Sequence, residues 1–365
     1  MKIGFIGLGL IGGSLAKTIK RIYPEAEIMA SDPDRDNLTL AVNEGIVEKT
    51  VTTEYLTGSE SLKELDYLFL CAPVITNIDL LGIIKDNIGD SKVIISDVGS
   101  VKSEITEKAV SYGLSGFVGG HPMAGSEKTG FAHANDHLFE NVYYILTNDA
   151  ASGDALISFT DFILSINAIP VTMEASYHDF VMSGISHTPH FVAAGLVHTV
   201  KDSSKGAEVF KKLAAGGFKD ITRVASSSPE MWAQIAMSNS DNIIKELDIC
   251  IKNLKDIRAS IKAHDRSAVY SFMKDAGEYR SSISESGILG FNTYYRIHCD
   301  LADEAGSIAR VATILADNEI SIKNIGIVHN REYNDGALLI EFYDEVAMNS
   351  AVKLLENRDY TVYRR

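Results

Sequence analysis

The first thirty-two residues constrain this chain more than any other stretch. Lys2-Ile3-Gly4-Phe5-Ile6 reads as a strand and Gly7-Leu8-Gly9-Leu10-Ile11-Gly12-Gly13 as a turn, while Ile11, Leu15, Ile19 and Ile22 recur at helical spacing. Glu27 to Ser31 reads as a second strand ending at Asp32, about 20 residues past the glycines, the spacing of a dinucleotide fingerprint. Each part has a physical task. Gly7 permits the tight turn, Gly9 lets the backbone approach a pyrophosphate, and Gly12 allows close helix–strand packing. The expected cofactor-binding residues are therefore Gly7, Leu8, Gly9, Leu10, Ile11 and Gly12, with free N–H groups at the helix start facing the phosphates. Asp32 should accept from the ribose hydroxyls and repel a 2′-phosphate, which favours NAD over NADP, although Arg35 lies close by.

Further buried-looking strands follow at Tyr67 to Cys71, Val93 to Asp97, Gly116 to Gly119, Tyr143 to Thr147 and Ile169 to Met173, as in a doubly wound sheet. Ligands of such sheets bind beyond the carboxyl ends of the strands. Ala72, Pro73 and Ser100 are thus expected at the cofactor. His121 reads either as a turn histidine hydrogen-bonded to backbone or as a general base near the nicotinamide, with Ser100 from the neighbouring strand end to orient it. Neutral imidazole can take a hydroxyl proton as hydride leaves the same carbon. Cys71, inside an apolar run, reads as a packed thiol rather than a nucleophile.

After Glu174 the pattern turns to long helices. Pro189 fits a first helical turn, and the His187/His190 pair lacks a third ligand at metal-site spacing, so no metal is expected. Lys219 and Arg223, four apart, would point the same way on a helix, either as a receptor for carboxylates or as a solvated basic face paired partly by Asp220. Trp232, the only tryptophan, walls a pocket or fills the core. From Asn242 to Arg280 the helical pattern is almost uninterrupted and needs a partner surface, a dimer being the simplest. From about Thr293 the period changes again. Tyr295, Ile297, Cys299 and Leu301 alternate as a strand, followed by helix, strand to Val328, a hairpin turn at Asn334-Asp335-Gly336, strand, helix and a last strand near Tyr360.

Charge excludes some partners. A net charge of −15 argues against nucleic acid or an anionic membrane as the main partner. Lys2 and the fourteen largely apolar residues Ile3 to Ala16 imitate a secretory signal, but five of them are glycine, and their removal would delete the first strand. No apolar run reaches the roughly 18 residues of a membrane span, and three cysteines are too few for a disulfide framework. A cytoplasmic protein is expected.

Taken in order, six segments resemble the prephenate dehydrogenases, the NAD-dependent family of tyrosine biosynthesis, in the form with a C-terminal ACT domain. They are Gly7 to Gly12, Asp97 to Lys102, Gly120 to Glu127, Ser186 to His190, Gly217 to Arg223 and Met231-Trp232. The resemblance implies a Rossmann-type nucleotide domain over 1–173, an all-α helical substrate and dimerisation domain over 174–290, and an α+β ACT domain of βαββαβ order over 294–365. It implies His121 as the catalytic histidine, Ser100 as its orienting partner, Arg223 as the carboxylate ligand, and Lys219, His187, Trp232 and Ser126 as further substrate contacts. The implied reaction is oxidative decarboxylation of prephenate to 4-hydroxyphenylpyruvate by a homodimer. Tyrosine is the implied effector, at Asp303, Ala305, Gly306 and Asn324, although Ala305 stands where the family commonly has proline. Arogenate as substrate, alone or alongside prephenate as in a cyclohexadienyl dehydrogenase, and a non-catalytic NAD-binding sensor remain the alternatives.

Overall fold

A computed structural model of the chain describes residues 1–125, 128–285, 295–301, 304–328 and 337–364. Two compact units divide it, Met1–Leu254 and Lys255–Arg365. In the first, Lys2–Ile6 is the central strand of a five-stranded parallel sheet. The order across it is Lys49–Thr50, Glu27–Ser31, Lys2–Ile6, Tyr67–Leu70 and Ile94–Asp97. The chain turns back at the centre, between Lys2–Ile6 and Tyr67–Leu70, so the crevice of a doubly wound sheet opens where these two strands end. The core around them is apolar: Ile3, Phe5, Leu15, Ile19, Ile28 and Phe69 are all wholly buried.

The sheet does not continue as the sequence pattern predicts. Gly116 to Gly119 contributes only an isolated bridge, Phe117 to Ile95. The next strand is Gly120–Pro122, which runs antiparallel to Tyr143–Thr147, and that strand pairs in parallel with Ile169–Met173. The glycines explain the interruption. A Cβ on Gly119 would lie 2.4 Å from the Thr147 side-chain Oγ1, and one on Gly120 2.5 Å from the Asp97 carbonyl oxygen, so neither position has room for a side chain. Ile3 to Ala16, the signal-like stretch, is folded into the first strand and helix.

Helices follow Glu174. Ala175–Met182 passes through a π-helical turn, Ser183–His187, into Thr188–Ser204 with Pro189 in its first turn. The long helical pattern is broken in two, Ser240–Lys262 and Arg266–Glu285, by His264 at φ +56°. In the second unit the strands Asn324–Val328, Ala337–Phe342, Tyr295–Asp300 and Val362–Arg364 form an antiparallel sheet in that order. Helices Ser307–Ala316 and Glu345–Glu356 complete a βαββαβ order, with a core of Ile297, Cys299, Val311, Leu315, Ile340 and Leu355. The last strand begins at Val362 rather than near Tyr360. The hairpin turn read at residues 334–336 lies outside the described residues.

Candidate active site

The nucleotide turn is shaped by what its glycines leave out. Gly7 has φ +100°, and a Cβ there would sit 2.7 Å from the Cys71 carbonyl oxygen. A Cβ on Gly12 would fall 2.3 Å from the Gly7 carbonyl oxygen and 2.9 Å from Cys71 Cβ. One on Gly9 meets nothing within 4 Å, so the chain is open where a pyrophosphate would lie. Helix Leu10–Ile22 starts at Gly9 without a side-chain cap, so no side chain claims its first N–H groups. Asp32 closes the second strand, and its carboxylate accepts from Leu8 N at 2.5 Å and Asp34 N at 2.8 Å, tying the acidic residue to the glycine turn. Ala72 and Pro73 stand on the adjoining turn, held by Asn77 Nδ2, which donates to the carbonyls of Leu70 and Ala72. These residues fit a dinucleotide. Burial pushes the Cys71 thiol far up, so it stays protonated and inert at neutral pH.

At the next strand ends lies a buried polar cluster. Asp97 accepts from Gly99 N at 2.9 Å and Gly120 N at 3.2 Å, and forms an ion pair with Lys102 in which neither side chain is exposed. This pair fixes the two segments that carry Ser100 and His121. His121 is 8% exposed, and its Nδ1 lies 2.8 Å from Nε2 of His178. His178 Nδ1 in turn lies 2.8 Å from Asp179 Oδ1. Asp179 also accepts from Lys102 N at Oδ1 and Ser103 N at Oδ2, both at 2.8 Å, so it caps helix Ser103–Ser111 as it anchors the histidines.

The protons in this chain can be assigned by elimination. Burial alone would raise the Asp179 carboxyl, but donation from His178, Ser103 and Lys102 N holds it below its ordinary value. An ionised carboxylate only accepts, so His178 Nδ1 carries a proton. Burial keeps His178 neutral despite the pull of Asp179, which leaves a lone pair on its Nε2. His121 Nδ1 must then donate to that lone pair. Burial, with His178, Lys102 and His187 adding to it, holds His121 well below the usual histidine value, so its ring is neutral. Its remaining nitrogen, Nε2, therefore carries a free lone pair and makes no hydrogen bond to the described residues.

The partner of the His121 ring is thus His178, and the orienting task expected of Ser100 falls to the His178–Asp179 pair. Ser100 enters the cluster through its backbone carbonyl, which faces His187. His187 is wholly buried and stands 6.0 Å, edge-on, from Trp232, whose ring stacks on His190 at 3.8 Å. Lys219 and Arg223 do not share one α-helical face. The helix Gly216–Thr222 ends before Arg223, which opens a 3₁₀ turn, and both cations are exposed. Ser126 lies outside the described residues. His178, Asp179 and Asn239 escape a reading of the sequence alone, for which the one available signal is the His178-Asp179 dipeptide just upstream of Ser186 to His190.

Comparison with known proteins identifies the family. Residues 15–170 match the family described as "Prephenate dehydrogenase, nucleotide-binding domain", and residues 174–275 match "Prephenate dehydrogenase, dimerization domain". The prephenate dehydrogenase of Bacillus subtilis is 36% identical over 96% of this chain and 95% of its own. That of Lactococcus lactis subsp. cremoris is 35% identical over 99% of each. A crystal structure of prephenate dehydrogenase from A. aeolicus, in complex with hydroxyphenyl propionate and NAD+, superposes with a TM-score of 0.72 at 28% identity, covering 78% of this chain and 98% of that one. A fingerprint turn joined to a buried histidine relay, and likeness along almost the whole length, place the chain in the prephenate dehydrogenase family.

Proposed function

We propose that the chain catalyses the NAD-dependent oxidative decarboxylation of prephenate to 4-hydroxyphenylpyruvate, a step of tyrosine biosynthesis, as a cytoplasmic homodimer. The observation that carries this reading is His121 Nε2, whose lone pair is left free when the Asp179–His178 chain engages Nδ1. NAD, held on the turn from Gly7 to Gly12 with Asp32 at its ribose, supplies the hydride acceptor. Nε2 takes the ring-hydroxyl proton as hydride leaves the carbon bearing that hydroxyl. The ring carboxylate departs as carbon dioxide, its bonding pair completing the aromatic ring, and His121 returns the proton to the phenolic oxygen. Proton uptake and release by His121 cancel over the cycle. Aromatisation supplies the driving force, so the protein has chiefly to align and to exclude water.

Arg223, Lys219, His187, Trp232 and Ser126 are assigned to the substrate, with the cations meeting its two carboxylates. Residues 174–290 balance 14 basic against 14 acidic side chains, while 1–173 hold 12 against 23, so the anionic substrate meets the less acidic part of the chain. Dimerisation through the helical part is supported by the matched dimerisation domain and by Ile244, Leu254 and Ile261, each more than half exposed on helix Ser240–Lys262. Three free cysteines suit a reducing compartment. We assign 1–173, 174–290 and 294–365 as nucleotide, helical and ACT domains, the last binding tyrosine. Its effector loop would use Gly306, at φ +91° before helix Ser307–Ala316, with Ala305, Asp303 and Asn324, of which Asp303 lies outside the described residues.

Spectrophotometric NADH formation tests the proposal, with prephenate or arogenate, NAD or NADP, and tyrosine present or absent. Turnover of prephenate with NAD and inhibition by tyrosine are expected. No turnover of either substrate refutes the enzyme, and indifference to tyrosine refutes the regulatory assignment.

A further inference from the structure

We propose that Asn239 sets the tautomer of His187, so that His187 presents a neutral Nε2–H as hydrogen-bond donor to a carboxylate or keto oxygen of the substrate. The proposal rests on the reaction given above. Asn239 follows helix Pro229–Ser238, is 5% exposed, and donates from Nδ2 to the Asp179 backbone carbonyl at 2.8 Å. A backbone carbonyl only accepts, so this bond fixes which end of the amide is nitrogen. The same Nδ2 lies 3.1 Å from His187 Nδ1, while Asn239 Oδ1 accepts from Asn242 Nδ2 at 2.9 Å. Turning the amide over would set its oxygen against the Asp179 oxygen. His187 Nδ1 therefore accepts, and a neutral ring carries its proton on Nε2.

That N–H is the unusual feature. His187 is wholly buried on the π-helical turn Ser183–His187, and its Nε2 makes no well-formed hydrogen bond among the described residues, although the Ser100 carbonyl faces the ring. Buried donors are almost always satisfied, so one left over beside a reaction centre points to an acceptor that arrives with the ligand. The groups around the ring are Asp179 and the Ser100 carbonyl, which favour its charged form, and His178 and His190, which oppose it. Burial dominates and brings the ring down to about 4, so it is neutral under working conditions. With Nδ1 already occupied, such a ring can donate to an oxygen but cannot accept from an ammonium group. It thereby favours a keto acid over the corresponding amino acid.

Asn239 also touches both halves of the site. The carbonyl it holds belongs to Asp179, the end of the His121 relay, so one amide sets the substrate donor against the same residue that orients the base. It is a positioning residue, since it acts through His187.

Nitrogen-15 NMR of the histidine-labelled, ligand-free protein reads the tautomer directly, with His187 identified by the signal lost in His187→Ala. The Nε2–H form is expected, and the Nδ1–H form overturns the proposal. Asn239→Asp keeps the shape but replaces the donor with an acceptor. KM for prephenate should rise about tenfold or more at neutral pH, while the KM for NAD changes less than about threefold. KM should recover as pH falls and the ring gains its second proton, which a merely structural role would not produce; an unchanged or pH-independent KM overturns the proposal. Should that variant fail to fold, Asn239→Ala added to His187→Ala should raise KM no further, and an additive rise refutes the linkage. An Nε2–H tautomer in a native chain that turns over no prephenate removes the reaction, and with it the substrate half of this proposal.

Discussion

His178→Phe tests the relay most sharply, because it removes the acceptor of His121 Nδ1–H while leaving a ring of similar size. His178 is wholly buried and meets His121 at 2.8 Å, edge to face at 72°. The substitution strands a buried N–H, which costs about 1–3 kcal/mol. It also frees His121 to move its proton to Nε2, the nitrogen that must be basic. At about 1.36 kcal/mol per tenfold in rate, the stranded donor corresponds to a fall in kcat of about 5- to 150-fold. Deleting the base itself, as in His121→Asn, should cost about 10² to 10⁴. The assay is steady-state NADH formation at saturating prephenate and NAD, alongside NAD titration by fluorescence, which should be unchanged. Because both residues serve one proton, His121→Asn/His178→Phe should be no slower than His121→Asn alone. A kcat for His178→Phe within twofold of the native value would refute the relay. A double variant slower than either single one by the product of their effects would do the same.

Gly12→Ala should abolish NAD binding measured by calorimetry, because its Cβ would fall 2.3 Å from the Gly7 carbonyl oxygen, a backbone atom that cannot yield. Retained affinity would show that the turn is looser than described. Thermal stability should fall as pH drops below about 6.5. The unfolded chain then takes up protons on His121, His178 and His187, whereas the folded chain keeps them neutral, His187 down to about 4. A Tm that is flat from neutral pH to that point would contradict the burial of these rings. Asp32→Ala should weaken NAD binding and narrow its preference over NADP, read from the two KM values, since it removes the proposed ribose acceptor along with the bonds to Leu8 N and Asp34 N. Arg223→Ala should raise KM for prephenate with a smaller effect on kcat, and unchanged constants would dismiss the carboxylate contact.

The glycine turn was legible in the sequence because its determinants are local: a strand, a spacing of five residues from Gly7 to Gly12, and a helix that begins at once. His121 was legible for the same reason, standing just after a run of glycines at a strand end. The direction of its strand was not. Gly120–Pro122 pairs antiparallel with Tyr143–Thr147, a choice made by partners more than twenty residues away that no apolar run encodes. The relay was hidden for a related reason. His121 and His178 are 57 positions apart, and His187 and Asn239 are 52 apart, so only docked helices bring them together. Inside helix Ala175–Met182 a histidine and an aspartate look like ordinary polar residues. The break near His264 carries neither glycine nor proline, the residues by which a helix end is usually read.

Asp179 has a consequence for the order in which the protein becomes active during synthesis. The turn from Gly7 to Gly12, and the strands that flank it, leave the ribosome before residue 179, so the nucleotide fold can form while the chain is still growing. Helix Ser103–Ser111 then lacks the carboxylate that caps it, and His121 has nothing to fix its proton on Nδ1. Capping the helix and arming the base are one event. Both contacts wait for residue 179, so a chain that has folded only its nucleotide part has the glycine turn but not the relay.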